Sequence, residues 1–201
     1  MTESARHRGQ QTQSRILERA VHLSSVRGLE NMSLAHLADA AGMSKSGLFA
    51  HFRSKEALQV AIVDEADRLF RAAVVEPAGD KRGRSRLEAL TRAYVAYMGA
   101  DVFEGGCFFA AALHEFDSRP GPVRDRLVQH VGAWHGELRR AAADAADARE
   151  LAAGFAIDDF LFSLEGIALA VNLHGRAHDQ RERWQTLAGK AVDALLAGTA
   201  R

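Results

Sequence analysis

Between residues 33 and 55 the chain sets out short hydroxyl and cationic side chains, Ser33, Ser44, Lys45, Ser46, His51 and Lys55, with Gly47 and Phe49 among them. Groups of this kind meet duplex nucleic acid well. An ammonium such as that of Lys45 donates to a guanine edge or to a phosphate, and the serine hydroxyls serve either. Phe49 offers an apolar surface to a thymine methyl. Gly47 costs a helix about 1 kcal/mol relative to alanine, which is tolerable where the missing side chain permits close approach to the duplex. Ser33 and Lys55 stand at expected helix starts, where free N–H groups and the helix dipole favour an anion. Such contacts position a protein on DNA without reading its sequence.

The elements that must hold these groups are two short helices joined by a glycine turn. Leu34, Leu37, Ala38 and Ala41 fall at i, i+3, i+4 and i+7, one apolar helix face, and Gly42 follows where a left-handed residue ends a helix. Met43 can plug the turn and Ser44 can cap the next helix. That second helix has Leu48 and Phe52 on its apolar side, leaving its polar and basic side to face outward.

The whole chain has 201 residues, 47% of them hydrophobic, enough for a sizeable core in two unequal parts. Net charge is zero, which argues against a protein that coats polyanions. The distribution is uneven: residues 1–56 carry eight Lys/Arg against five Asp/Glu, a net +3, and the remainder carries −3. A positive head on an acidic body fits a molecule that meets phosphates at one end. A single cysteine, Cys107, excludes an internal disulfide framework and points to a reducing compartment. No stretch approaches the ~18 apolar residues of a membrane span, and the polar start lacks the apolar core of a secretory signal. The expectation is a cytoplasmic protein with no membrane partner.

Apolar residues recur at three- and four-residue steps without strand-like alternation, so the chain reads as all-α. Residues 1–13 read as a disordered arm, whose Arg6 and Arg8 can reach an adjacent minor groove. Residues 14–56 form a three-helix head, and 57–201 a larger helical bundle. The first helix runs over 14–27, with Ile16, Ala20 and Leu23 inward and Gly28 at its end. Ser54 caps a long helix with Leu58, Ile62, Glu65 and Leu69 on one face, lasting until Pro77. Ser85 and Glu88 have capping-box spacing for a helix to about Gly99. Further helices are expected after Gly105-Gly106, after the break at Pro120-Gly121-Pro122, from Asp158 to about His174, and from Asp179 to about Leu196. The count is nine.

The segment 33–58, SLAHLADAAGMSKSGLFAHFRSKEAL, resembles the DNA-binding domain of the tetracycline-repressor (TetR) family of bacterial transcription regulators. The likeness rests on Ser33, on Ala41-Gly42-Met43-Ser44, on Phe49-Ala50-His51-Phe52 and on Ser54-Lys55-Glu56, in order and without a gap. The chain departs at Ser46-Gly47, where the family more often has Gly then Thr, Ser or Ala after the lysine, and at Phe49, where it more often has Tyr. Residues 105–125, GGCFFAAALHEFDSRPGPVRD, resemble a segment of one actinobacterial-type branch.

The resemblance implies a helix-turn-helix head, a recognition helix carrying Ser44, Lys45, Ser46, Gly47, Phe49 and His51, and an effector pocket enclosed by the middle helices. Aromatic and polarizable residues of the body make Tyr94, Met98, Phe103, Phe108, His114 and Trp134 the pocket candidates, with Phe70, Tyr97, Phe109, Phe116 and His130 in the same set; ordinary core packing is the other reading of each. It also implies a homodimer on a palindromic operator, released by an unknown small molecule. Leu161, Leu164, Ala168, Val171, Val192 and Leu195 are the interface candidates, as a four-helix arrangement of two helical hairpins, or else internal core.

An enzyme is the first rival, but no phosphate loop, nucleophile elbow or Ser/His/Asp pattern occurs. His135 with Glu137, or His174 with His178, lacks the clustering of a zinc site, and neither metal nor cofactor is expected. Cys107 reads either as a redox sensor or as a small buried hydrophobe. A helical protein-interaction module without DNA binding is the remaining alternative.

Overall fold

The computed structural model describes residues 3–42, 44, 52–100, 102–177 and 180–199. Among them are eight α-helices: α1 (Glu3–Arg27), α2 (Leu34–Ala41), α3 (Lys55–Phe70), α4 (Gly83–Gly99), α5 (Phe108–Phe116), α6 (Pro122–Asp147), α7 (Ile157–Ala177) and α8 (Arg181–Ala197). No strand occurs among the described residues. The recognition helix expected over 45–51 lies outside them. The chain packs as two units, one made of Met1–Leu69 and Phe103–Gln129, the other of Phe70–Val102 and His130–Arg201. This differs from a division at 56/57: by packing, 103–129 groups with the N-terminal segment, for reasons that follow from Gly105 and Glu115 below.

In the first unit α1 begins at Glu3, inside the segment read as an arm. That run contains no proline and one glycine, so nothing in it stops a helix. Ile16, Ala20 and Val21 are buried, and Leu23 is half-buried. Gly28, at φ 86°, ends the helix and donates its N–H to the Ser24 carbonyl at 2.9 Å, a left-handed cap that a side chain would strain. The Ser33 hydroxyl accepts the His36 N–H at 3.2 Å to open α2, and Gly42, at φ 63°, ends it. The Ser54 hydroxyl accepts the Ala57 N–H at 3.0 Å to open α3. Leu29, Met32, Leu37, Leu58 and Ile62 are all but fully buried, each contributing roughly 1.5–3 kcal/mol of transfer free energy.

In the second unit a π-helical turn, Arg71–Val75, and a 3-10 turn, Glu76–Ala78, lead to Gly79. Helix α4 starts at Gly83, two residues before the expected Ser85, and Ser85 does not cap it. Its cap comes from far along the chain: the Glu150 carboxylate accepts the Arg84 N–H at 2.8 Å. The loop after α6 is tied to the end of α8 by the Ala152 N–H donating to the Thr199 carbonyl at 3.0 Å. Helices α4, α7 and α8 pack together around Leu87, Leu90, Leu164, Ala168, Val171 and Val192, all buried. No helix among the described residues is long and apolar enough to cross a membrane.

Candidate functional site

The DNA-facing residues divide in two. Lys45, Ser46, Gly47, Phe49 and His51 lie outside the described residues. Ser44 is exposed two residues past the turn glycine. Ser33 and Lys55 open α2 and α3, as the spacing suggests, and both are engaged by protein groups. The Ser33 hydroxyl spends an acceptor site on its own helix. The Lys55 ammonium sits 3.2 Å from Glu30 Oε1, an exposed pair of the kind that contributes little.

Glu30 is the centre of a small network. Arg119 Nη1 lies 3.4 Å from the same oxygen, and Gln59 Nε2 lies 3.5 Å from the other while donating to the Leu29 carbonyl at 3.0 Å. Burial alone would raise the Glu30 carboxyl, but Lys55, Gln59 and Arg119 together hold it below the usual carboxylate value. The same loop is held from α5. Glu115 accepts the Leu29 N–H at 3.2 Å and the Glu30 N–H at 2.8 Å, and a Cβ on Gly28 would come within 2.9 Å of its Oε1.

A second tie lies at the start of 103–129. The Gly105 N–H donates to the Ser25 hydroxyl at 2.9 Å, and a Cβ at Gly105 would fall 1.7 Å from the Ser25 carbonyl oxygen. Only glycine permits that approach. The His22 ring meets Phe103 edge-on at 5.4 Å. These contacts explain why 103–129 packs with the head. Gln59, Glu30 and Glu115 were missed by the sequence reading; only Gln59 left a signal, as a polar residue beside Leu58 on a helix with a buried face.

The pocket candidates divide between the two units. Phe103 and Phe108 belong to the first unit and are buried; His114, also there, is exposed. Tyr94, Met98 and Trp134 are buried in the second unit. Tyr94 and Trp134 come together at 4.9 Å between ring centroids, and Phe70 lies edge-on to Tyr97, His130 and Trp134 at 5.3, 4.9 and 5.3 Å. The rings thus pack on one another. At their edge the Tyr94 hydroxyl donates to Glu165 Oε2 at 2.8 Å, and His135 Nε2 lies 3.2 Å from Glu165 Oε1.

The interface candidates Leu161, Leu164, Ala168, Val171 and Val192 are buried in the second unit and Leu195 is half-buried. The exposed apolar residues of the same hairpin are Phe162, at 84% exposure, with Leu169, Leu173 and Leu187.

The residues weighed as metal ligands have other partners. Glu137 takes Arg140 at 2.8 Å, Arg86 at 3.1 Å and Arg71 at 3.7 Å. Burial would raise its carboxyl, yet the hydrogen bond from Arg86 and the charges of Arg140 and Arg71 hold it low. His174 stacks on Trp184 at 4.3 Å, while His178 lies outside the described residues. No group of three or more potential ligands occurs among the described residues. Cys107 is buried at the start of α5.

Residues 16–62 match the bacterial regulatory proteins of the tetR family, and residues 83–189 match the tetracyclin repressor-like C-terminal domain. No curated protein matches the sequence. Among solved structures, the chain is similar to a TetR transcriptional regulator from Chloroflexus aurantiacus, with TM-score 0.78 and 22% identity over 95% of each chain. A TetR-family regulator from Cytophaga hutchinsonii has TM-score 0.78 and 21% identity, over 94% of this chain and 95% of that one. AibR, in complex with isovaleryl coenzyme A and operator DNA, has TM-score 0.69 and 24% identity, over 89% of this chain and 97% of that one. Head and body thus each carry the mark of one family, whose members are DNA-binding regulators rather than enzymes, and the chain belongs to the TetR family of bacterial transcription regulators.

Proposed function

We propose that the protein is a homodimeric repressor in the cytoplasm that occupies a palindromic operator through one recognition helix per subunit and leaves it when a small molecule binds the second unit. What carries the ligand-responsive part is the place of Phe103–Gln129: these residues follow α4 of the second unit in sequence, yet they bond to the head through Gly105 and Glu115. A change in the chain on either side of this segment therefore acts on groups that hold the loop between α1 and α2. Release follows if the effector binds one of two conformations better than the other.

The dimer is supported by α7, which is apolar on two sides. One side is buried in its own unit, and Phe162, Leu169 and Leu173 on the other expose a surface that a second copy would cover. Two-fold symmetry then matches two half-sites. AibR supplies a relative in fold whose complex holds both a small molecule and operator DNA.

The test is a footprint on DNA flanking the protein's own coding region, at stated salt, with Lys45→Ala beside the wild type. A protected palindrome that the variant fails to protect supports the reading. Equal protection by both, or none by either, overturns it.

A further inference from the structure

An open cavity of about 300 Å3 lies between α4, α7 and α8 of the second unit, with Arg92, Ala96, Gln185 and Gly189 exposed among its lining, outside the aromatic cluster of Tyr94 and Trp134. That volume is at the small end of ligand sites. Its walls are apolar, Val95 of α4, Val171 of α7 and Val192 of α8, and two of its lining residues are polar, Arg92 and Gln185. The Gln185 side-chain amide donates to the Gly99 carbonyl at 2.8 Å, which fixes its orientation and leaves its own oxygen to accept. The Arg92 guanidinium pairs with Asp193 at 2.7 Å, both side chains more than half exposed. A pair so exposed is weak, and Arg92 can change partners.

Gly189 lies at the wall in the interior of α8, where glycine costs helix propensity relative to alanine, and a Cβ built there meets nothing within 4 Å. Around α7, Val171 at the cavity is opposite the side bearing exposed Phe162, Leu169 and Leu173, so the cavity is distinct from the surface assigned to the dimer.

We propose that this cavity binds a small organic acid, its carboxylate on Arg92 in place of Asp193 and its hydrocarbon body among Val95, Val171 and Val192. A planar guanidinium takes a carboxylate with two parallel hydrogen bonds, and the valines accept an aliphatic or aromatic body without specific geometry. The binding site stands on the cavity alone; that its occupant is the effector rests on the repressor reading above.

Octanoate and 4-phenylbutyrate, each with its methyl ester, are titrated calorimetrically into the full chain without DNA. The acids bind saturably and the esters about tenfold more weakly. Arg92→Gln erases that preference while leaving the unfolding midpoint unchanged, and Asp193→Asn tightens the acids several-fold. Gly189→Leu fills the space and abolishes binding, with a folded circular-dichroism spectrum as its control. No saturable binding of either acid, equal binding of acids and esters, or undiminished binding to Gly189→Leu overturns the proposal. If the acids bind as stated yet never weaken the operator complex, the site stands and the effector reading fails.

Discussion

The Glu115 carboxylate grips two successive backbone N–H groups, those of Leu29 and Glu30, from 86 and 85 residues away in sequence. The loop it holds separates α1 from α2 and carries Glu30, the partner of Lys55. Replacing Glu115 with alanine removes two charge-assisted bonds and leaves both donors without them. The expected loss is about 2 kcal/mol in a denaturant titration, together with weaker operator binding. Glu115→Gln, which retains one acceptor oxygen, falls between. Stability loss with unaltered operator affinity would show that this contact braces the fold without setting the reading head.

Lys45→Ala and Lys55→Ala separate reading from positioning. Lys45→Ala costs about 1–3 kcal/mol of operator affinity if Lys45 reads a base edge, and relaxes the preference at one position. Lys55→Ala weakens binding to all sequences alike and lowers the salt slope of log K by about 1. Glu30→Gln, which frees Lys55 from its pair, strengthens binding to random duplex. Electrophoretic mobility shifts at several salt concentrations distinguish the three.

Two glycines respond in opposite directions to the same substitution. At Gly105 an alanine Cβ would meet the Ser25 carbonyl oxygen at 1.7 Å, so Gly105→Ala forces backbone apart and destabilises by at least about 3 kcal/mol. At Gly189 nothing stands in the way, and Gly189→Ala stabilises α8 by up to about 1 kcal/mol. Thermal unfolding of the two variants against the wild type checks both signs.

Glu137 gives a pH dependence. Its carboxyl is held below the ordinary value, so in the folded state it binds a proton less readily than in the unfolded chain. The stability it contributes is therefore fully present above about 4.3 and is lost as pH falls below that value through the depressed one. Glu137→Gln is expected to lower stability near neutrality by about 1 kcal/mol, a modest figure because Arg71 and Arg140 are largely solvent-screened. The gap between wild type and variant closes in acid. A gap that is constant down to pH 3 refutes this assignment.

The exposed side of α7 is tested by Phe162→Glu combined with Leu173→Glu. Both positions already face solvent within the subunit, so its folding changes little. The proposed dimer predicts dimers of the wild type and monomers of the variant in sedimentation, with operator affinity falling alongside. A dimer that survives both charges is held by another surface.

Local signals were legible in the sequence because they depend on neighbours. The Ser33 and Ser54 caps, the Gly28 and Gly42 stops and the 3.6-residue apolar period each need only the residues within one turn. Long-range polar ties were not: Glu150 capping α4 from 66 residues away and Glu115 holding the loop after α1 leave no periodic trace. Ser85 and Glu88 had capping spacing and did not cap, because Glu150 serves the helix start instead. Helix α7 shows a further reason. With Leu161, Leu164 and Val171 on one side and Phe162, Leu169 and Leu173 on the other, periodicity alone does not say which side faces its own subunit. The aromatic set could be found by composition, but only packing shows that Tyr94 lies against Trp134 and that a cavity opens beside Arg92 and Gln185.

The bonds from Glu115 and Gly105 also bear on how this regulator can be recombined. A chimaera that joins a foreign head at residue 56 to this body would leave the Glu115 carboxylate facing a loop it did not evolve with, and would set the Gly105 turn against a helix lacking the matching serine. A portable reading module would have to travel as two stretches of chain, the N-terminal 69 residues and Phe103–Gln129, grafted together.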